Sequence, residues 1–265
     1  MIPRALTIAG SDSGAGAGIQ GDLKTFAALN VYGLSVVTAV TAQDTYRIGG
    51  VFDLPADFVR LQLDSVVNDI GVDAAKTGML SNMAIVEAVA SGIQEHRIGR
   101  LVIDPVMEAK SGDCLLREDA YSGFARLVLP LAMIVTPNIP EGEILSDCRV
   151  RTLHDMRDCS KRILDYGCQA VLLKGGHLHL DENVVDVFYD GRDFVELTAK
   201  RIPTTNTHGT GCAFSAAITA YLAKGVPLFE AVMEAKAYVM GAIEHAFGLG
   251  RGHGPLDHFW MQRSL

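Results

Sequence analysis

The sequence predicts an α/β fold in which a mainly parallel sheet is covered by helices on both faces. Three observations carry this. Short β-branched apolar runs alternate with longer amphipathic runs, the βαβα rhythm of a doubly covered sheet. The chain has 265 residues with 49% apolar content, enough to bury a large core. No internal repeat or low-complexity linker divides it, so one domain over residues 1–265 is expected.

Each element has its own signal. "ALTIAG" reads as a first strand before a helix over 19–29, and "LSVVTAVTA" as a second before a helix over 56–69. "AAKTG" precedes a helix over 82–96, and "RLVIDPV" ends in a loop. After "LAMIVTPN" the pattern predicts helices over 140–146 and 153–165, then the buried strand "AVLLKGG". "VVDVFYD" and "DFVELTAK" form a hairpin through Gly191 and Arg192, and helices over 210–223 and 228–246 close the chain. Segments 43–53 and 106–115 are read as candidate lids over the strand ends.

Composition removes several functions. A net charge of −8 and a pI near 5.4, with no basic stripe, argue against nucleic-acid and anionic-membrane partners. The five cysteines contain no C-x-x-C pair and fit reduced thiols better than a zinc or disulfide framework. No run approaches about 18 apolar residues, the length of a membrane span. The opening "MIPRALTIAGSDSG" lacks the basic and apolar regions of a signal peptide, so a cytoplasmic protein is expected.

Two glycine loops compete for the role of phosphate cradle. In "GAGAGIQGD", Gly16, Gly18 and Gly21 satisfy G-x-G-x-x-G, and Asp44 follows where a dinucleotide fingerprint places its ribose acid. The fingerprint needs its first glycine at the tip of the strand, yet Ser11 to Ala15 separate Gly16 from the strand end near Gly10. A dehydrogenase is therefore disfavoured, and Gly14, Gly16 and Gly18 are read as letting a substrate approach the backbone. "NTHGTGC" is the stronger candidate: Gly209 and Gly211 bracket Thr210 where a helix begins, which aims free N–H groups and the positive end of the helix dipole at one point. No Walker A motif occurs.

Charged residues at strand ends belong with that loop. Asn138 and Glu141 follow a strand, where a carboxylate can hold magnesium directly or through water; turn formation and helix capping explain them equally well. Asp104 ends "VIDPV", where burial demands a cation or hydrogen-bond donors. Lys174 leaves a buried strand where it can neutralise phosphate.

Seven segments, "GSDSGAGAGIQGDLKTF", "TAVTAQDT", "KTGML", "IDPVMEAKSGD", "TPNIPE", "LLKGGH" and "NTHGTGC", occur in order across nearly the whole chain. Together they resemble the hydroxymethylpyrimidine/phosphomethylpyrimidine kinases of thiamine biosynthesis, members of the ribokinase-like superfamily. The resemblance implies a three-layer αβα sandwich, commonly dimeric. It also implies ATP- and Mg2+-dependent phosphorylation of 4-amino-5-hydroxymethyl-2-methylpyrimidine and then of its monophosphate. By motif, Gly209, Thr210, Gly211 and Cys212 would form the anion hole and Lys174 would touch ATP phosphates. Asp104 and Glu141 would organise magnesium, and Asn138 would complete the N-x-x-E element. Gln43, Asp22, Gly10, Met79 and Val106 look like the pyrimidine pocket, and 107–113 like a mobile flap.

Chemistry agrees with that reading. The Gln43 amide complements a ring nitrogen beside an exocyclic amine, and Met79 and Val106 can sandwich a flat ring. Cys212 stands where sugar kinases of the superfamily place an aspartate base. At a helix N-terminus its thiol is expected to have a lowered pKa and to accept a proton in the first transfer, whereas the second nucleophile, a phosphate monoester, is already ionised. Glu108 departs from the small or apolar residue usual in the flap, and His208 and Lys110 are candidates for further phosphate contacts. The rival readings are a pyridoxal or pyridoxine kinase of the same fold and a vitamin-binding regulator without turnover.

Overall fold

The structure is a computed structural model that describes residues 2–108, 112–176, 178 and 182–263. Its framework is one nine-stranded sheet. The strands are β1 (Arg4–Asp12), β2 (Tyr32–Gln43), β3 (Ile48–Asp53), β4 (Ala74–Thr77), β5 (Leu101–Ile103), β6 (Ile134–Val135), β7 (Val171–Leu173), β8 (Asn183–Tyr189) and β9 (Phe194–Lys200). They lie in the order β3-β2-β1-β4-β5-β6-β7-β8-β9. From β2 to β7 all neighbours are parallel; β3 at one edge and β8 and β9 at the other are antiparallel.

Alternation along the strands sorts side chains to two cores. Leu6, Ile8, Ala75, Leu101 and Ile103 face one layer of helices: α2 (Ala56–Asp69), α3 (Met83–Glu95), α4 (Tyr121–Leu127), α5 (Ile139–Ser146) and α6 (Leu153–Leu164). Ala5, Ala74 and Val102 face α1 (Gly18–Ala28), α7 (Thr210–Ala223) and α8 (Leu228–Glu244). A short α9 (Trp260–Arg263) ends the described chain. Central strands of two to four residues suffice because both faces are covered and their side chains are wholly buried.

Helix α7 is the pivot of the second layer. All its residues from Ala213 to Ala220 are buried, because "AFSAAITA" offers mostly small side chains that admit the sheet, α1 and α8 at close range. That packing fixes where the helix begins, over the C-terminal ends of the parallel strands. Local chemistry sets the other entries: Asn138 and Glu141 form a reciprocal capping box at the start of α5, as do Thr152 and Asp155 at α6.

The expected strand–helix order is borne out, with three differences. Part of the first candidate lid is strand β3. Asp44 accepts from the amides of Tyr46 (2.7 Å) and Arg47 (3.0 Å), and this turn folds 48–53 back onto β2. Asp44 is thus a turn residue and not a ribose acid. Helix α4 lies where the sequence predicts a loop after "RLVIDPV", since seven residues containing Gly123 give too short a period to signal a helix. In the second candidate lid, Glu108 bridges Cys114, and the amides of Leu115 and Leu116 return to the Met107 carbonyl; residues 109–111, with Lys110, lie outside the described residues.

Candidate functional site

The ends of the parallel strands and the start of α7 enclose a cleft of about 860 Å3. Every site residue expected from the sequence lines it. Gly10 comes from β1, Asp22 from α1, Gln43 from β2, and Met79, Asp104, Val106, Asn138 and Lys174 from positions just beyond β4, β5, β6 and β7. Glu141 lies in the first turn of α5, and Gly209, Thr210, Gly211 and Cys212 open α7.

Gly209 adopts a left-handed conformation (φ 81°) that turns the chain into α7. A Cβ there would stand 1.9 Å from the Gly16 carbonyl oxygen, so both the dihedral and the space require glycine. The Thr210 hydroxyl donates to the Thr207 carbonyl (2.8 Å) and braces the turn. A Cβ on Gly211 would stand 3.2 Å from Lys174 Nζ, which places the ammonium directly against the loop.

Lys174 donates to Asp104 at 2.9 Å, and the Thr136 and Ser215 hydroxyls donate to the same carboxylate at 3.3 Å. Burial works against the lysine's charge, but Asp104 and Glu141 outweigh it and hold the ammonium protonated. Burial likewise opposes ionised Asp104, and Lys174 and Lys76 more than compensate. Glu141 differs. Its carboxylate accepts the Asn138 amide at 2.7 Å, yet burial, partly offset by Lys174 and reinforced by Asp104, pushes its pKa up to about 7. A buried carboxylate that lacks its own cation suits magnesium, which takes one or two carboxylates and completes its shell with water and substrate phosphate. Asp104 is already neutralised by Lys174 and is arranged as that lysine's anchor.

The pyrimidine-pocket residues separate into two groups. The hydroxyl of Thr41 donates to Gln43 Oε1 at 3.0 Å, orienting the amide at the cleft wall. A Cβ on Gly10 would stand 2.9 Å from Met79 Sδ, so the glycine leaves room for the thioether, and Val106 follows the Asp104 turn. Asp22 is different: its side chain has no exposed surface and receives Lys76 Nζ at 2.8 and 2.9 Å and the Thr7 hydroxyl at 2.6 Å. It pairs with a buried cation, Lys76, and both residues line the cleft. Lys76 itself was missed, although a lysine within the apolar strand "AAKT" is a readable signal, since burying an ammonium demands a partner.

The family model for phosphomethylpyrimidine kinase matches residues 12–257. The chain belongs to this family. A hydroxymethylpyrimidine/phosphomethylpyrimidine kinase of Rhizobium meliloti (strain 1021) is 51% identical over 263 residues, covering 98% of each protein. The ADP complex of Bacillus subtilis pyridoxal kinase superposes with a TM-score of 0.93 at 42% identity over 99% of both chains. A phosphomethylpyrimidine kinase from Clostridium difficile 630 gives 0.82 at 40% identity, covering 92% of this chain and all of that one. The ribokinase-like three-layer arrangement expected from the motifs is the one these kinases share.

Two expectations about this family member are corrected. Cys212 is not an acidified thiol: burial, opposed by Lys76 and reinforced by Asp22 and Asp104, pushes its pKa up to about 12, despite a hydrogen bond from the Gly18 amide. The helix-terminus effect is outweighed by desolvation and two nearby carboxylates. His208 engages Asp12 through Nε2 at 2.9 Å, so that atom is not open to a phosphate. A further group of cleft residues went unrecognised in the sequence: Ile202, Phe214, Val239, Met240 and Ile243 form an apolar wall beyond Lys174, with Lys236 paired to Asp186 at 2.6 Å beside it. Phe214, Val239, Met240 and Ile243 share the spacing of ordinary helix cores, and Ile202 lies in an irregular segment with no pattern to read.

The thiol's state is measurable. In brief alkylation at pH 7.5 followed by peptide mass spectrometry, exposed Cys114 should be labelled and Cys212 should react at least about 100-fold more slowly, since the thiolate is the nucleophile. Comparable labelling of the two would restore the activated-thiol reading.

Proposed function

We propose that this chain transfers a phosphoryl group from ATP to 4-amino-5-hydroxymethyl-2-methylpyrimidine and then to the resulting monophosphate, the two steps that give the diphosphate used in thiamine assembly. One observation carries the reading: the Gly209–Cys212 turn and Lys174 meet in the same cleft as Gln43, so donor and acceptor can lie in line. A rival sensor would have no use for that donor half.

Each residue has a task. The N–H groups at the start of α7 receive the oxygens of the migrating group, whose charge spreads over three equatorial atoms in a loose transition state. Lys174, kept charged and oriented by Asp104, neutralises the donor phosphates. Glu141 would hold magnesium, with Asn138 fixing the turn that carries it, and the bound ion would supply screening of the ATP phosphate charge. The apolar wall of Ile202, Val239, Met240 and Ile243 accepts the nucleotide base. Gln43 reads the ring amine and nitrogen, while Gly10, Met79 and Val106 enclose the ring faces.

Cys212 acts as a neutral thiol touching the acceptor oxygen. In the first step the alcohol oxygen bonds to phosphorus, the bond to the ADP oxygen breaks, and the alcohol proton leaves late to a phosphoryl oxygen, because a loose transition state needs little prior deprotonation. In the second step the nucleophile is already an anion.

A second reading is favoured by the 0.93 TM-score to a pyridoxal kinase: the same cleft also phosphorylates the hydroxymethyl group of a pyridine vitamin. The protein is proposed to be cytoplasmic; among the described residues no helix is long and apolar enough to cross a membrane. It is also proposed to form a homodimer through the β2–β3 edge, where Val40 and Phe52 are register partners and both exposed, next to exposed Phe58 and Leu61 on α2.

Two measurements check these proposals. With ATP and magnesium the wild type should form pyrimidine mono- and diphosphate, and Gln43→Leu should raise KM for the pyrimidine roughly 10-fold or more with little change in KM for ATP; binding without product, or an unaltered pyrimidine KM, contradicts the assignment. Sedimentation should give a species of twice 28.4 kDa that Phe52→Lys dissociates, and a monomeric wild type contradicts the dimer.

A further inference from the structure

The loop "GAGAG" at residues 14–18 has entered the chemistry above only through the Gly18 amide at Cys212, yet it is held from several sides. Asp12 organises it. Its Oδ1 accepts the Gly14 amide at 2.8 Å, and its Oδ2 accepts the amides of Gly16 at 3.1 Å and Ala17 at 2.8 Å. Lys24 Nζ holds the Ala15 carbonyl at 2.6 Å from the other side. Four contacts within six residues leave the loop little freedom.

The same Asp12 Oδ2 accepts the Nε2–H of His208 at 2.9 Å, across 196 positions of sequence. Burial tends to raise the Asp12 pKa, but the His208 bond and the Ala17 and Gly14 amides overcome it, so the carboxylate is ionised and the imidazole must be the donor. His208 immediately precedes Gly209. Its own amide is tied to the Gly254 carbonyl at 3.0 Å, so the ring and the backbone are both anchored.

Contact between the two loops is intimate as well as polar. A Cβ on Gly16 would stand 2.3 Å from His208 Cδ2, and a Cβ on Gly209 would stand 1.9 Å from the Gly16 carbonyl oxygen. Gly16 carries no unusual backbone angle, so its missing side chain is explained by the seat it gives to the imidazole. The sequence expectation that this glycine lets a substrate approach is thereby corrected: the approaching group is the protein's own histidine.

We infer that Asp12, Gly16 and His208 form a clasp that locks the Gly209–Cys212 anion turn to the β1 end of the acceptor pocket, making His208 a positioning residue for phosphoryl transfer. Gly10, in the pocket, and Asp12, in the clasp, lie two residues apart at the end of β1, so one rigid strand end serves acceptor and donor together. Alignment of nucleophile and phosphorus is what the clasp protects, and a displacement of about 1 Å can cost about 100-fold in rate. ATP binding relies on Lys174 and the apolar wall, which the clasp does not touch. The signature is therefore a loss in kcat with KM for ATP preserved.

The inference rests on the kinase reading, and the test separates the two. Wild type is first assayed on the pyrimidine alcohol and on pyridoxal; no phosphorylation of either sinks the kinase reading itself. On the better substrate, with rates normalised to ADP-binding sites counted by equilibrium dialysis, His208→Leu should lose about 30- to 100-fold in kcat while KM for ATP stays within about threefold. His208→Gln, whose amide can replace the Nε2–H donor, should remain within about threefold of wild type. Gly16→Ala, which evicts the imidazole by contact alone, should reproduce the leucine variant, and the double variant Gly16→Ala/His208→Leu should be no worse than either single one. The clasp is overturned by a wild-type kcat in His208→Leu or Gly16→Ala, by equal losses in the leucine and glutamine variants, by a loss that lies in KM for ATP, or by losses that multiply in the double variant. If His208→Leu fails to fold, Gly16→Ala against His208→Gln decides on the same criteria.

Discussion

A phosphoryl group in flight is best stabilised by donors already aimed when it arrives, and the proposed mechanism assigns that task to the beginning of α7. The small residues of α7 let it sink onto the sheet, and the sheet's parallel core delivers Lys174 and Asp104 to the same end as the helix start. Left-handed Gly209 aims the first turn, and Lys174 lies within van der Waals distance of a side chain that Gly211 lacks.

Buried charge is the recurring cost of such a site, and the structure answers it by pairing. Lys174 with Asp104 and Lys76 with Asp22 are two such pairs under one cleft, each with a hydroxyl partner on the carboxylate. Glu141, which accepts backbone amides and whose pKa burial pushes up to about 7, has no ion pair of its own among the described residues. Cys212 sits among these charges and remains a thiol, so the alignment of reactants, and not a strong base, has to carry the first transfer.

Much of this was legible in the sequence. Strand–helix alternation gave the doubly covered sheet, and the strand-end residues Asp104, Asn138 and Lys174 pointed to a cleft because ligands collect at that end of a parallel sheet. Asn138 and Glu141 show that capping and function are not alternatives, since the capping box is what holds the carboxylate in place. What escaped notice depended on distant pairing. Nothing local says that Asp22 will meet Lys76, or that Asp12 will meet His208, so neither pairing is part of the sequence reading. The thiol's pKa followed the same pattern: helix position is local and readable, whereas desolvation and two carboxylates brought in by other strands are not. Asp44 shares its spacing with a ribose acid, but the distance of Gly16 from the strand end already argued against that fingerprint, and the turn into β3 agrees.

The account turns on where the migrating group lies. A crystal structure with ADP, the pyrimidine alcohol and a planar aluminium fluoride would locate it. The mimic should lie about 3 Å from backbone N–H groups of residues 209–212, with Lys174 against the ADP side and the alcohol oxygen in line. A mimic seated on the amides of residues 14–18 instead, with the α7 turn unengaged, would contradict it.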